Sequence, residues 1–271
     1  MRLALIATLA LALAPGGSLA EDARPTERVD APAIQAHKII LVGDSTLAPN
    51  SGWGGAFCAR RVKSSVACVN LGRGGRSTRS YRAEGSWEIA LAEARVPGYR
   101  DIHVLIQFGH NDQSSKPERW TERTQEFPDN LRRYVREVRA TGARPVLVTP
   151  LTRREFKNGE LQNTLEPWAA QTRAVAAELD VPLIDLNARS AALVGAMGAA
   201  AAAGLAQEPP TPEELAAAQA GSTLSVRAPP AGVSRKFDYT HLGDVGAETF
   251  AALVATELAR TEPALRGQLV R

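Results

Sequence analysis

Long apolar runs are nearly absent from this sequence. The one stretch that stands out, Leu3 to Ala14, is apolar apart from Thr8 and falls short of the ~20 residues a membrane-spanning helix needs. Preceded by Arg2 and followed by Ser18-Leu19-Ala20, it reads as a secretory signal peptide cleaved after Ala20, so the protein is expected to be secreted or periplasmic. An excess of charge is also missing. The formal net charge is +3 and falls to +2 once Arg2 leaves with the leader, too little to argue for a nucleic-acid partner. Cysteine is scarce: Cys58 and Cys68 do not make a zinc site. Whether they pair in an oxidising compartment or stay as buried thiols is left open. The chain also has no Walker loop, no His-Glu-x-x-His, no Gly-x-Ser-x-Gly elbow and no internal repeat.

What is present is an ordinary globular composition, 44% hydrophobic, which supports one α/β domain. Residues 21–37 are polar and aperiodic, a flexible lead-in. From Lys38 onward, strands alternate with helices. Strands are predicted at Lys38 to Val42, Val66 to Val69, Ile102 to Phe108, Pro145 to Val148 and Val181 to Ile184. Helices are predicted at Trp53 to Val62, 84 to 94, Glu126 to Ala140, Leu165 to Leu179 and Gly246 to Ala259. This rhythm implies a five-stranded parallel sheet with helices on both faces. In such a sheet ligands bind beyond the carboxyl ends of the strands. Residues 191–236, Ala-rich and then Pro-rich, break the rhythm as a helical insertion or a loose excursion.

Four segments after predicted strands, or before the last helix, carry polar groups that fit one mechanism. Gly43-Asp44-Ser45-Thr46 offers a hydroxyl at a strand-to-helix turn. Asn70-Leu71-Gly72-Arg73-Gly74-Gly75-Arg76-Ser77 offers backbone N–H groups with no side chain in the way. Asn111, in Phe108-Gly109-His110-Asn111-Asp112, offers an amide at a strand end. Asp238-Tyr239-Thr240-His241 offers a proton acceptor with a carboxylate to orient it. Of the other histidines, His37 and His103 are expected to be structural or solvated, and His110 to support its loop. Each segment alone is better read as a turn or a cap. The ordered set is specific: nucleophile, two oxyanion donors, acid and base.

These segments resemble the blocks of the SGNH hydrolases, or GDSL esterases, and the match is closest to the rhamnogalacturonan acetylesterase-like branch, carbohydrate esterase family 12. The likeness extends to Gly52-Trp53-Gly54, Gly75-Arg76-Ser77 with Ser80-Tyr81, Pro145 to Pro150, Arg153-Arg154 and Asn158-Gly159, over roughly residues 38 to 260. It implies a flavodoxin-like three-layer sandwich, with one hydrolase domain over 38–271. It also implies Ser45 as nucleophile, His241 as base and Asp238 as its partner. The oxyanion hole would be formed by the N–H groups of Ser45 and Gly75 and the Asn111 amide, with Gly74 as a one-residue alternative. No cofactor or metal is implied. His241-Leu242-Gly243 departs from the family's usual His-Leu-Asn.

The expected substrate is an acetylated oligo- or polysaccharide, of the pectin type or xylan, handled by a monomer with no membrane span. Arg79, Arg153 and Arg154 are candidates to contact it, through the carboxylate of a uronate, while Arg76 is expected to brace the Gly-rich loop. The alternatives are a lipid-type esterase on the same fold and a catalytically silent sugar-binding protein. Arg76, Arg79, Arg82, Gln113, Arg153 and Arg154 after the strands favour a polar substrate.

Overall fold

The computed structural model describes residues 36–224 and 236–270. The predicted signal peptide, the lead-in as far as residue 35, and residues 225–235 of the stretch 191–236 lie outside the described residues. Five strands form one parallel sheet: β1 (His37–Gly43), β2 (Ala67–Asn70), β3 (Asp101–Gln107), β4 (Arg144–Val148) and the two-residue β7 (Leu183–Ile184). Their order is β2-β1-β3-β4-β7, the doubly wound order in which the switch point lies between β1 and β3.

The residues of each strand alternate between two cores, as a sheet covered on both faces requires. Ile39 and Leu41 point to one core with Leu105, Val146 and Ile184, against Phe250, Val254 and Leu258 of α8 (Asp244–Thr261). Ile40 and Val42 point to the other with Val104, Ile106 and Leu147. That face is covered by α3 (Ser86–Ala94), α4 (Glu126–Ala140) and α5 (Glu166–Glu178). In α4, Phe127, Leu131, Tyr134, Val135 and Val138 are buried, one apolar stripe at helical spacing. The helix stops at the predicted Gly142, whose φ of 85° suits a residue without Cβ.

The helix predicted over 84 to 94 is α3, and a helix that was not predicted, α2 (Thr78–Ala83), precedes it. Gly85, at φ 85°, breaks the path between them, and Ser77 and Ser80 cap the start of α2 reciprocally. The helix predicted over Trp53 to Val62 is a single turn, α1 (Gly54–Ala56), continued as a π turn over Phe57–Arg61, with Val62 bridging to Leu269. His37, assigned to the lead-in, is the first residue of β1.

A hairpin, β5 (Phe156–Lys157) with β6 (Glu160–Leu161), turns through Asn158 and Gly159, both at positive φ, as a two-residue hairpin turn requires. After β7 come α6 (Leu186–Ala203) and α7 (Pro212–Gln219). Val194, Ala199, Ala202 and Ala218 of these helices join the core under α8. Cys58 and Cys68 form a disulfide that ties the π turn to β2. Among the described residues no helix is long and apolar enough to cross a membrane.

Candidate active site

The site is built on the turn that leaves β1. Gly43 is forced: a Cβ there would lie 2.5 Å from the Gln107 carbonyl oxygen. Asp44 turns inward, wholly buried, and its Oδ1 accepts from the Thr46 N–H at 2.9 Å and the Thr46 hydroxyl at 2.8 Å. Burial works to raise the Asp44 pKa. The His110 ring, with Nδ1 3.4 Å from Oδ2, and the bonds from Thr46 outweigh burial and hold it below its ordinary value. The inward Asp44 leaves Ser45 at the mouth of the sheet.

His241 meets Ser45 from the segment just before α8, 196 residues along the chain. The Ser45 hydroxyl lies 2.8 Å from Nε2, and Nδ1 lies 2.5 Å from Asp238 Oδ2. Asp238 Oδ1 accepts from the backbone N–H of Thr240 at 2.7 Å and of His241 at 2.6 Å. Burial opposes ionisation of Asp238, but the His241 hydrogen bond, its charge and the two N–H donors prevail and hold its pKa at about 2. The Asp238 bond in turn lifts the His241 pKa above its ordinary value, against its own burial. The sequence-predicted nucleophile, base and acid thus form one hydrogen-bonded chain.

The loops that carry them are tied together. Ser51 donates its hydroxyl to the Ser45 carbonyl at 2.7 Å, and its backbone carbonyl accepts from the Leu242 N–H at 2.9 Å. Arg154 is 1% exposed. Its Nη2 donates to the carbonyls of Asp238 and His241, both at 2.8 Å, and its Nη1 to that of Thr240 at 3.3 Å. Burial lowers its pKa to about 10. Arg154 is therefore not open to a substrate, contrary to expectation: its guanidinium is spent on three carbonyls of the acid–base loop. Gln107, which no sequence signal marked, donates to the Thr46 hydroxyl at 2.6 Å and accepts from Trp53 Nε1 at 2.8 Å.

The other predicted oxyanion donors follow β2 and β3 in the chain. Gly74 faces the serine: a Cβ on it would sit 3.7 Å from Ser45 Cβ. Gly75 has φ 78°, a conformation that favours glycine. Among the described residues no acceptor engages the N–H groups of Ser45, Gly74 or Gly75. Asn111 Nδ2 donates to the Arg76 carbonyl at 3.1 Å, which spends one of its two N–H bonds. Asp112 locks this arrangement from below. Its Oδ1 accepts from the Thr78 N–H at 3.0 Å, the Thr78 hydroxyl at 2.5 Å and the Thr121 hydroxyl at 3.0 Å. Burial pushes the Asp112 carboxyl up to about 7 despite these donors.

Of the other arginines, Arg76 donates to the Gly74 carbonyl at 2.7 Å and to Glu84 at 2.8 Å, the bracing role expected of it. Arg153 reaches the hydroxyls of Thr240 at 3.2 Å and Thr164 at 3.1 Å. With its amide oxygen turned to the guanidinium, Gln113 also accepts from Arg153, at 2.8 and 3.2 Å. Arg79, on α2, is half-exposed and 3.9 Å from Glu126. Among the described residues no group of His, Cys, Asp and Glu could hold a metal ion.

Comparison with known proteins gives the family and the fold. The model of the GDSL-like lipase/acylhydrolase family matches residues 41–224. Rhamnogalacturonan acetylesterase RhgT of Bacillus subtilis (strain 168) is 40% identical over 169 residues, 59% of this chain and 69% of that protein. Among solved structures, protein YxiM from Bacillus subtilis superposes with a TM-score of 0.64 at 26% identity, covering 84% of this chain and 57% of that one. Axe2, an acetylxylan esterase from Geobacillus stearothermophilus, superposes with a TM-score of 0.52 at 17% identity, over 85% of this chain and 96% of that one, a likeness of fold alone.

Proposed function

This chain belongs to the GDSL-like lipase/acylhydrolase family and is a carboxylic ester hydrolase, and we propose that it removes acetyl groups from a plant cell-wall polysaccharide of the rhamnogalacturonan type through an acetyl-enzyme. The observation that carries this reading is the unbroken chain from the Ser45 hydroxyl through His241 to Asp238. The N–H groups of Ser45, Gly74 and Gly75 have no acceptor among the described residues. The printed activity of the 40% identical relative supports the substrate class.

In the first half-reaction His241 Nε2 takes the Ser45 proton as Oγ attacks the acetyl carbonyl carbon. The carbonyl oxygen becomes an oxyanion held by the Ser45 and Gly75 N–H groups and the free N–H of Asn111, each such donor worth about 3 kcal/mol. His241 then gives the proton to the departing sugar oxygen, which leaves as an alcohol. In the second half-reaction water attacks the acetyl-serine, again losing its proton to His241. Acetate leaves and Ser45 is restored. Asp238 stabilises the imidazolium in both halves without being protonated. A disulfide between Cys58 and Cys68 suits an exported protein.

Acetate release from acetylated rhamnogalacturonan, acetylated xylan and small acetyl sugars tests the reading. The rhamnogalacturonan substrate should turn over fastest. Hydrolysis of p-nitrophenyl esters with no acetate from any carbohydrate would overturn it.

A further inference from the structure

The segment between Asn111 and α4 leaves the site and returns to it. Thr121 closes it, donating its N–H to the Asp112 carbonyl at 3.0 Å and its hydroxyl to the Asp112 side chain. Within it a turn brings the N–H of Arg119 to the Lys116 carbonyl at 3.0 Å. This turn lays the Arg119 side chain over Gly75. A Cβ on Gly75 would meet Arg119 Nη2 at 3.1 Å, Cζ at 3.2 Å and Nη1 at 3.2 Å. Three nearly equal distances mean that the flat face of the guanidinium rests on the glycine. Its N–H edge is then free to bond in the plane.

That edge is available, unlike its neighbours'. Arg73 and Arg76 are drawn to Glu84, Arg153 to hydroxyls and Gln113, and Arg154 to buried carbonyls. Among the described residues the one carboxylate within 4 Å of Arg119 is that of Glu118, at 3.9 Å from Nε, and the Arg119 side chain is 30% exposed. An arginine fork held flat, without a bonded carboxylate, fits a carboxylate ligand presented edge-on. Gly75 is also the proposed oxyanion donor, so a carboxylate on Arg119 would belong to the sugar that carries the acetyl group, or to the unit next to it.

We propose that Arg119 binds a carboxylate of the substrate and so selects acetyl esters borne on or beside uronate units. The proposal rests on the carbohydrate acetylesterase reading above. The test compares kcat/KM on acetylated galacturonate oligosaccharides with kcat/KM on the same oligosaccharides after carboxyl reduction, for the wild type, Arg119→Gln and Arg119→Lys. The wild type should prefer the acidic substrate by about 10- to 100-fold, the range of a charge-assisted bond. In Arg119→Gln that ratio should fall to near one through a higher KM on the acidic substrate, and Arg119→Lys should keep part of it. A residue that merely props the Gly75 loop would slow both substrates alike and leave the ratio unchanged. An unchanged ratio in Arg119→Gln, or no acid preference in the wild type, overturns the proposal while leaving the acetylesterase reading standing. Failure of the wild type on both oligosaccharides, with acetate still released from another acetylated carbohydrate, overturns this proposal alone; acetate from no carbohydrate at all sinks the acetylesterase reading and this proposal with it.

Discussion

Two histidine–carboxylate clusters occupy opposite ends of the same sheet, and their difference separates structure from chemistry. At the amino ends, His37 Nδ1 lies 2.7 Å from Asp101 and His103 Nε2 lies 3.2 Å from Glu262. His103 is fully buried, and burial lowers its pKa against the pull of Asp101 and Glu262. At the carboxyl ends, His241 bonds Asp238 equally directly, but its side chain is one-third exposed, its pKa is raised, and its second nitrogen faces the Ser45 hydroxyl. Pairing a histidine with a carboxylate therefore does not make a base. Exposure and the partner of the second ring nitrogen do.

Breaking the carboxyl-end cluster should cost turnover, not fold. Ser45→Ala should lower kcat by roughly 10⁴–10⁶, measured as acetate release, with an unchanged thermal midpoint. Asp238→Asn should cost about 10⁴ in kcat, because the ring loses its orienting acceptor. It should also move the acid limb of the pH–kcat/KM profile. His241 must be neutral to accept a proton, and Asp238 raises its pKa, so the wild-type limb should lie above the ordinary imidazole value of ~6.5. In Asp238→Asn the limb should move to lower pH. A limb that stays put would mean that another group titrates. Asn111→Ala should lower kcat by roughly 10²–10³ with little change in KM.

The amino-end cluster should respond in the opposite way. His103 has a lowered pKa in the folded state, so its contribution to stability is present above ~6.5, the unfolded value. It is lost as pH falls from there towards the folded pKa. His241, with a raised pKa, stabilises below ~6.5 and loses that contribution as pH rises through the folded value. His103→Gln should therefore leave kcat intact, lower stability by about 1–3 kcal/mol and flatten the loss of thermal midpoint on mild acidification. A drop in kcat would show that the two ends are coupled.

The contrast also explains what the sequence made legible. Ser45, Asn111 and His241 each sit within a few residues of an element whose periodicity is strong, so strand ends and motif order located them. Helix α4 was readable for the same reason: its apolar stripe is decided by local spacing. Arg154 was misread because its partners arrive from 84 to 87 residues away, and nothing near Arg153-Arg154 in the chain shows that carbonyls will consume it. Arg119 was missed because only the tertiary return of its loop places it on Gly75. The β5–β6 hairpin and the break between α2 and α3 did have local signals, Asn158-Gly159 and Gly85, that outweigh the surrounding propensities. The Cys58–Cys68 pairing depended on the fold bringing the π turn beside β2.

The central claim is that the His241–Asp238 pair makes Ser45 the nucleophile, and a serine-directed fluorophosphonate tests it without depending on how fast an acetyl-enzyme breaks down. The account predicts one label per chain, located by peptide mass spectrometry on the segment containing Ser45, with activity lost in proportion and labelling suppressed in His241→Ala. Labelling at another residue, or a fully labelled protein that still releases acetate, would contradict it.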